Sequence, residues 1–250
     1  MVSILLLTID RYETTRRCLD MAIANAHYPN ELLVTDNGST DQRIIDYLID
    51  LDPSYLMLNQ ENKGIAPMHN AMLERAKGDY FVLIGNDIEL PPGWLSYLVS
   101  TYDQLKSLGH KPGLAGIHCV ETLHPEQMYA ENLIIHPGHN VFGTMFFGRE
   151  VLNEIGYFNE IYHPYGMDDS DYAYRLNKTG HINYYVHGMS SVHVENDVGK
   201  DTPYRKMKDM SLHNNVHKFN QAINLYDSTN NYYLPRNQEP FIIFDQQYSE

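Results

Sequence analysis

The sequence predicts an α/β protein built on an open, mostly parallel twisted sheet that is flanked by helices and followed by a C-terminal helical extension. Apolar runs of strand length alternate with segments whose apolar residues recur at helical spacing. Several of the runs are continuously apolar, which is typical of strands buried on both faces. Strands that alternate with helices in this way form parallel sheets with helices on both faces.

Three strand-helix units are predicted at the start of the chain. They are a strand at 2–10 with a helix through Cys18 and Ile23, a strand at 31–36 with a helix through Ile44 and Leu48, and a strand at 55–58 with a helix through Ile65 and Met72. Polar turn residues separate each strand from its helix, and Asp, Asn and Ser in such turns also cap helices. We expect these strands to be neighbours in the sheet.

The next apolar run, Phe81 to Ile84, ends at Gly85 and is followed by Asn86 and Asp87. Open α/β sheets bind ligands at the carboxyl ends of their strands, so these two polar residues are candidates for a metal or ligand site. The alternative is that Asp87 only stabilises its turn, because Asn and Asp form hydrogen bonds with their own backbone there. A helix is predicted to follow, with its inward face formed by Trp94, Leu95, Leu98, Val99, Tyr102 and Leu105.

The second half of the chain has a less regular pattern. Predicted strands lie at 114–119, 133–135, 145–147, 183–186 and 190–194, and predicted helices lie at 149–155 and 169–178. Beyond Pro203, apolar residues spaced by three and four between Leu212 and Tyr226 indicate an amphipathic helix. We therefore expect an α/β domain at 1–200, with a C-terminal helix and tail at 201–250 packed on it.

The charge composition restricts the classes of partner. The chain has 18 basic and 32 acidic residues, a formal net charge of −14. This makes nucleic acid an unlikely partner, because phosphate contacts need clustered Lys and Arg. An anionic ligand would need a metal cation or backbone amides to neutralise it.

Cysteine content and the first apolar run bear on the compartment. The two cysteines, Cys18 and Cys119, cannot form a disulfide framework or a four-cysteine zinc site, which favours a reducing compartment. The first apolar run is too short to span a membrane and has no basic leader. We expect a cytoplasmic protein without an integral membrane segment.

Four segments together resemble the family 2 glycosyltransferases, which have the nucleotide-sugar-binding GT-A fold. The segments are residues 34–41, residues 62–64 with Asn70, residues 83–87 with 92–95, and residues 149–160 with 165–171. Each motif alone is common in unrelated turns, so the order and spacing carry the resemblance. It covers roughly residues 2 to 195 and excludes the C-terminal stretch.

The resemblance implies a metal site and a donor site. Asp87 and His193 would hold Mn²⁺ or Mg²⁺, which suit oxygen and imidazole ligands, although Gly85 stands where the family's fullest motif has its first Asp. Without the resemblance, His193 would be an ordinary histidine among 13. Asp36 would accept a hydrogen bond from the nucleobase, unless it only caps its turn. The expected nucleotide-sugar site also includes Thr8, Asp10, Asn62, Gly64, His69 and Asn86.

The resemblance also implies an acid-base site. Asp169 would be the general base that takes the proton from an acceptor hydroxyl. Asp168 would hydrogen-bond a substrate sugar and hold Asp169 in place, and the closeness of the two carboxylates would raise the proton affinity of one. The alternative is that both acids only stabilise a helix start through its dipole. Attack opposite the leaving group would invert the anomeric centre.

The expected function is therefore metal-assisted transfer of a sugar from a UDP or dTDP sugar to a hydroxyl of a glycan or related acceptor. A sugar nucleotidyltransferase is one alternative, but it would begin with a Gly-rich basic phosphate loop, and residues 8–12 do not form one. A non-catalytic carbohydrate-binding or scaffold protein is another, suggested by the reduced metal motif. A lipid-linked acceptor would need only peripheral contact with a membrane.

Overall fold

Three strand-helix units open the chain in the computed structural model, which describes residues 1–119, 124–194 and 203–236. Their elements are β1 (Val2–Thr8), α1 (Tyr12–Asn25), β2 (Asn30–Asp36), α2 (Gln42–Asp50), β3 (Tyr55–Leu58) and α3 (Ile65–Leu73). β1 pairs in parallel with β2, and β2 pairs in parallel with β3. The three predicted units are confirmed.

The remaining elements also follow the predicted order, with some differences. They are β4 (Tyr80–Ile84), β5 (Ile88–Glu89), α4 (Trp94–Ser107), β6 (Pro112–His118), β7 (Gln127–Ala130), β8 (Leu133–Gly138), β9 (Thr144–Gly148), α5 (Arg149–Ile155), α6 (Asp168–Lys178), β10 (Ile182–Ser190), β11 (Val192–His193) and α7 (Pro203–Thr229). The strand predicted at 183–186 extends to Ser190, and only two residues of the next prediction form β11. The short strands β5 and β7 were not predicted, because neither has an apolar run.

Nine strands form one mixed sheet in the order β3-β2-β1-β4-β9-β6-β10-β8-β7. The pairings of β4 with β9, β6 with β9 and β10 with β8 are antiparallel. β9 and β8 therefore run against the direction of the other seven strands, so the sheet is mostly parallel as expected. An apolar run predicts a strand, but it does not give its direction, which explains why β9 could not be oriented from its sequence.

Helices cover both faces of the sheet, and side-chain alternation along each strand divides the core in two. Ile4 and Leu6 of β1 join a buried cluster with α1, α2 and α4, whereas Leu5 joins a second cluster with α3, α5 and α6. The indole N–H of Trp94 donates to the carbonyl of Ala22 at 2.9 Å and ties α4 to α1. The opposite placement of neighbouring residues follows from the two-residue period of a strand.

The predicted C-terminal helix is confirmed as α7, which packs on α6. Ala222 and Tyr226 of α7 form a small buried cluster with Leu234. The backbone N–H of Leu234 donates to the carbonyl of Ile155 at 3.0 Å. The division into domains at residue 200 stays a prediction, and residues 195–202 and 237–250 lie outside the described part. Among the helices that the structure describes, none combines the length and apolarity needed to cross a bilayer.

Candidate active site

A cleft of about 500 Å³ lies at the carboxyl ends of β1 and β4. Parallel strands end at the same edge of the sheet, so polar residues that follow separate strands meet there. The residues that line the cleft include Thr8, Arg11, Asp87, Asp168, Asp169 and His193. The expected metal ligands and the expected catalytic acids therefore share one cavity, although β11 and α6 are distant from β4 in the sequence.

Asp87 and His193 contact each other because β11 pairs with β5 in antiparallel register. His193 pairs with Ile88, and the backbone N–H of Val194 donates to the carbonyl of Asp87 at 2.9 Å. This places Nε2 of His193 3.2 Å from Oδ2 of Asp87. Nη1 of Arg11 lies 3.0 Å from the same carboxylate oxygen. The Arg11 guanidinium thus compensates the charge of Asp87.

The Asp87 and His193 donor atoms fit a divalent cation. Ligands at about 2.1 Å and at right angles around a six-coordinate ion are about 3 Å apart, close to the spacing found. Gly85 adds no third ligand. A Cβ at that position would lie 3.0 Å from the Ile88 side chain and 3.1 Å from Oδ1 of Asp87, so a larger residue would push on the carboxylate itself.

Asp168 and Asp169 form the first turn of α6, after Met167 in a left-handed conformation with φ 75°. Burial and the neighbouring charge of Asp169 raise the pKa of Asp168 to about 8. Burial also raises the pKa of Asp169, against hydrogen bonds that lower it. One oxygen of Asp169 accepts from the Ser170 N–H at 2.7 Å, and the other accepts from the Asn140 amide at 3.3 Å. The pair therefore holds protons more tightly than free aspartates do.

Asp171, the third acid of this helix start, lies outside the cleft in a buried ion pair. Its Oδ1 accepts from Nε of Arg175 at 2.8 Å, and both side chains are fully buried. Oδ2 accepts from the hydroxyls of Tyr162 and Tyr226 at 2.8 and 2.9 Å. Arg175 also donates to the carbonyl of Ile155 at 2.7 Å. This network joins α6 to α7 and to the loop before α6.

The expected nucleotide-binding residues Thr8 and Asn86 both line the cleft and contact each other there. The Asn86 amide donates to the hydroxyls of Thr8 at 3.2 Å and Thr15 at 3.0 Å. Thr8 is buried, and its hydroxyl is also 3.1 Å from that of Thr15. These contacts join the ends of β4 and β1 to α1, so Asn86 positions the residue after it, Asp87.

The carboxylates of Asp10 and Asp36 accept hydrogen bonds from the loop between β2 and α2. Neither residue lines the cleft. The Asp10 carboxylate accepts from the backbone N–H of Thr40 at 2.7 Å. The Asp36 carboxylate is almost fully buried and accepts from the N–H of Ser39 at 2.9 Å and from its hydroxyl. Both acids therefore fix the conformation of the β2-α2 loop.

Asn62 and Gly64 are held next to the cleft by Asn37. The Asn37 amide donates to Oδ1 of Asn62 at 2.9 Å and to the carbonyl of Gly64 at 3.2 Å, and the same Asn62 oxygen accepts from the Gly64 N–H at 2.8 Å. Gly64 has φ 88°, and a Cβ there would lie 2.6 Å from the His163 ring. Only glycine fits this turn without strain.

His69 lines the cleft but carries no charge at neutral pH. Its side chain is 91% buried, and burial lowers its pKa to about 4. Its Nδ1 has no hydrogen-bond partner among the residues that the structure describes. His69 therefore cannot supply a positive charge to an anionic ligand in the cleft.

Sequence reasoning missed three polar side chains at this site. Arg11 and Lys208 both line the cleft, and the Lys208 ammonium lies 4.8 Å from the centre of the Tyr165 ring. Asn140 contacts Asp169. Lys208 belongs to α7, which lies beyond the resemblance, and helical periodicity indicates only the buried face of such a helix. Cys119 is partly exposed and also lines the cleft.

The family model described as Glycosyl transferase family 2 matches residues 3–155, more than half of the chain. The chain belongs to this family. The family 2 chain is 30% identical over 98 residues to the glucosyl-dolichyl phosphate glucuronosyltransferase of Haloferax volcanii, covering 38% of the chain and 31% of that protein. It is 25% identical over 212 residues to the hyaluronan synthase of Pasteurella multocida, covering 68% of the chain and 22% of the synthase. It thus spans a third or less of these two relatives.

Solved structures confirm the GT-A fold of the family 2 chain. The mannosyltransferase PcManGT from Pyrobaculum calidifontis, in complex with GDP-Man and Mn²⁺, matches with TM-score 0.60 and 20% identity over 79% of this chain and 58% of that one. GalNAc-T7 with UDP, GalNAc and Mn²⁺ matches with TM-score 0.65 and 12% identity over 81% of this chain and 45% of that one. S. aureus TarS 1-349 with UDP-GlcNAc matches with TM-score 0.58 and 16% identity over 76% of this chain and 57% of that one.

Proposed function

We propose that the chain is an inverting glycosyltransferase, which moves a sugar from a UDP or dTDP sugar to a hydroxyl of a glycan or related acceptor. The observation that supports this most directly is the single cleft shared by two pairs of side chains. One pair, Asp87 and His193, has metal-ligand spacing, and the other, Asp168 and Asp169, has raised pKa values. A sugar transferase needs both a site for the diphosphate and a base for the acceptor.

Asp87 and His193 would hold a divalent cation, Mn²⁺ or Mg²⁺, beside the diphosphate of the donor. Such a cation supplies Lewis acidity that neutralises the charge developing on the leaving group. The mixed carboxylate and imidazole ligands favour Mn²⁺, because Mg²⁺ prefers oxygen ligands. Mn²⁺ is present in the PcManGT and GalNAc-T7 structures. Arg11 would release Asp87 when the cation binds and would then be available to the diphosphate.

Asp169 would take the proton of the acceptor hydroxyl while the new bond from that oxygen to the anomeric carbon forms. The bond from the anomeric carbon to the diphosphate oxygen breaks on the opposite face, and its electron pair leaves with the nucleoside diphosphate. A raised pKa makes Asp169 a stronger base than a free aspartate, and catalysis by a base is most efficient when its pKa is near the working pH. Asp168, protonated at neutral pH, would donate a hydrogen bond to a substrate sugar.

The donor nucleotide would lie against the loops after β1, β2 and β3. Asp10 and Asp36 hold the β2-α2 loop in shape, and a direct bond from Asp36 to a base would require the Ser39 hydroxyl to turn away. The remaining residues of this site are Thr8, Asn62, Gly64, His69 and Asn86. In this proposal the neutral His69 would contact the donor through hydrogen bonding at Nδ1, without a charge interaction.

Calorimetric titration of UDP, dTDP and GDP into the protein, with and without Mn²⁺, tests the donor class. We expect binding of UDP or dTDP that depends on Mn²⁺, followed by turnover of the corresponding sugar donors with glycan acceptors. Selective binding of GDP would show that the donor is a GDP sugar, and the proposed type of reaction would stay the same. Binding of glycans without consumption of any nucleotide sugar would instead favour the non-catalytic carbohydrate-binding function.

A further inference from the structure

Three potential metal ligands meet outside the cleft assigned to the donor. They are the carboxylate of Glu126, in the segment before β7, and the imidazoles of His136 on β8 and His187 on β10. One ligand atom from each residue lies within 4.8 Å of the other two. None of the three lines the cleft or belongs to a motif on which the family resemblance depends. We infer that these residues form a second metal site, which takes Zn²⁺.

The spacing of the two imidazoles agrees with zinc coordination. Nε2 of His136 lies 3.2 Å from Nδ1 of His187, and the rings are stacked with an interplanar angle of 24°. Two nitrogens bound to zinc at about 2.0–2.1 Å in a tetrahedral site are about 3.3 Å apart. The distance between the nitrogens would therefore suit one ion, provided that His187 carries its proton on Nε2 so that its Nδ1 is available as a ligand.

A second observation fixes the chemical form of His136. Its Nδ1 lies 2.8 Å from the carbonyl oxygen of His124, which can only accept a hydrogen bond, so Nδ1 carries the proton. The proton on Nδ1 leaves the lone pair of Nε2 directed towards His187. Metal-bound histidines usually have such a partner on the other ring nitrogen, which holds the tautomer and the orientation of the ring.

Glu126 adds a carboxylate, so that the three residues would supply two nitrogen ligands and one oxygen ligand of the types that bind zinc. Its Oε1 lies 3.5 Å from Nδ1 of His187, longer than a hydrogen bond, and 59% of the side chain is exposed. The carboxylate can therefore rotate onto an ion at low cost. Two neutral imidazoles and one carboxylate favour Zn²⁺ over Mg²⁺ or Ca²⁺, which prefer oxygen ligands.

The position of this site suggests a structural role. It would join the segment at 124–126 to β8 and β10, near the short strand β7, which is the edge strand of the sheet in the described part of the chain. An ion that binds the folded but not the unfolded chain stabilises the fold in proportion to the logarithm of its concentration over Kd. We expect saturating zinc to raise the melting temperature, by about 5–10 °C at one hundred times Kd.

Zinc titration of chelator-treated protein, with Mg²⁺ in excess, tests the inference by calorimetry and by the absorption of Co²⁺ used as a spectroscopic substitute. We expect a single equivalent to bind and Co²⁺ to give the intense visible bands of a tetrahedral site. His187→Gln and Glu126→Gln should weaken binding by at least about 10-fold to 100-fold. Both residues are partly exposed, so these variants should fold, unlike some replacements of the buried His136.

Three control variants separate this site from other ligands. His213→Gln and Glu131→Gln replace exposed residues of the same types elsewhere, and Asp87→Ala removes the expected ligand in the donor cleft. All three should keep the zinc affinity and the Co²⁺ spectrum of the unaltered protein. Zinc binding that survives in both His187→Gln and Glu126→Gln, or that is lost in Asp87→Ala, would overturn the inference. Absence of any zinc binding by the unaltered protein would overturn it as well.

Discussion

Nε2 of His193 lies 3.2 Å from Oδ2 of Asp87, the same oxygen that contacts the Arg11 guanidinium at 3.0 Å. The pairing of β11 with β5 holds the histidine there, so the fold itself gives the two donor atoms metal-ligand spacing. In the proposed site, a cation would compete with Arg11 for this carboxylate oxygen. We therefore expect metal to bind weakly alone and more tightly with a diphosphate, which offers Arg11 another anion.

Asp87→Ala and His193→Ala should each abolish the Mn²⁺-dependent part of nucleotide binding. Loss of a residue that hydrogen-bonds a metal ligand weakens metal binding by roughly 10-fold to 100-fold. Loss of the ligand itself should weaken metal binding by at least as much. The measurement is calorimetric titration of the nucleotide at fixed Mn²⁺. Asp50→Ala, which removes an exposed carboxylate on α2, is the matched control and should bind as the unaltered chain does. Equal Mn²⁺ dependence in all three variants would contradict the assignment.

Asp168→Asn should stabilise the protein at high pH. The pKa of Asp168 is raised to about 8 in the folded state from 3.8, so the folded protein binds more protons than the unfolded chain between these values and loses stability as pH rises. His69 has the opposite effect below about 6.5, because its pKa is lowered to about 4. His69 is present in both the variant and the unaltered chain, so its contribution cancels in the difference between their melting temperatures.

The melting temperature of Asp168→Asn minus that of the unaltered chain should rise by several degrees between about pH 4 and about pH 8. The pKa values of Asp168 in the unfolded and the folded state set this interval. Asp46→Asn makes the same substitution at an exposed position on α2 and serves as the matched control. A constant difference for Asp168→Asn would mean that this carboxyl ionises normally.

Asp171→Ala should destabilise the fold by about 3–5 kcal/mol, because it leaves the buried guanidinium of Arg175 without its counter-charge. Chemical denaturation with a fluorescence or circular dichroism signal measures the free energy of unfolding. Glu150→Ala removes a partner of Lys106 in an exposed ion pair and should cost no more than about 1 kcal/mol. Similar losses in both variants would show that the Asp171 network contributes little.

Lys208→Ala should raise the KM for the donor by about 10-fold, equivalent to about 1.4 kcal/mol, with a smaller effect on kcat. Lys208 lines the cleft, and its ammonium would be attracted to the diphosphate. Steady-state kinetics at saturating acceptor give both constants. Lys206→Ala changes an exposed residue of the same helix and should leave the KM unaltered. A KM that depends equally on both lysines would indicate a general charge effect.

The sequence located Asp87 because an apolar run that stops at a carboxylate identifies the end of a buried strand. It could not show that Asn86 bonds to Thr8 and Thr15, because these contacts depend on how β4 and α1 lie beside β1. Nor could it orient β9, whose apolar run fits either direction.

The acids at the start of α6 illustrate a different limit. The three residues Asp168, Asp169 and Asp171 are close together in the sequence. Only the fold shows that the first two line the cleft and that Asp171 forms a buried ion pair. The four-residue spacing from Asp171 to Arg175 was a usable signal, since such pairs meet on one side of a helix. Asn140, which contacts Asp169, and Lys208, which lines the cleft, gave no signal, because each belongs to a segment without a recognisable motif.

The central claim is that Asp169 is the base of an inverting sugar transfer, and one experiment tests it most directly. Product formation from the donor selected by calorimetry is followed by proton NMR with the unaltered chain and with Asp169→Asn at several pH values. We expect a product of inverted anomeric configuration, a kcat that rises with pH as Asp169 loses its proton, and a roughly 10²-fold to 10⁴-fold lower kcat in the variant. Donor affinity should stay nearly constant. Full transfer by Asp169→Asn, or a product with retained configuration, would contradict the mechanism.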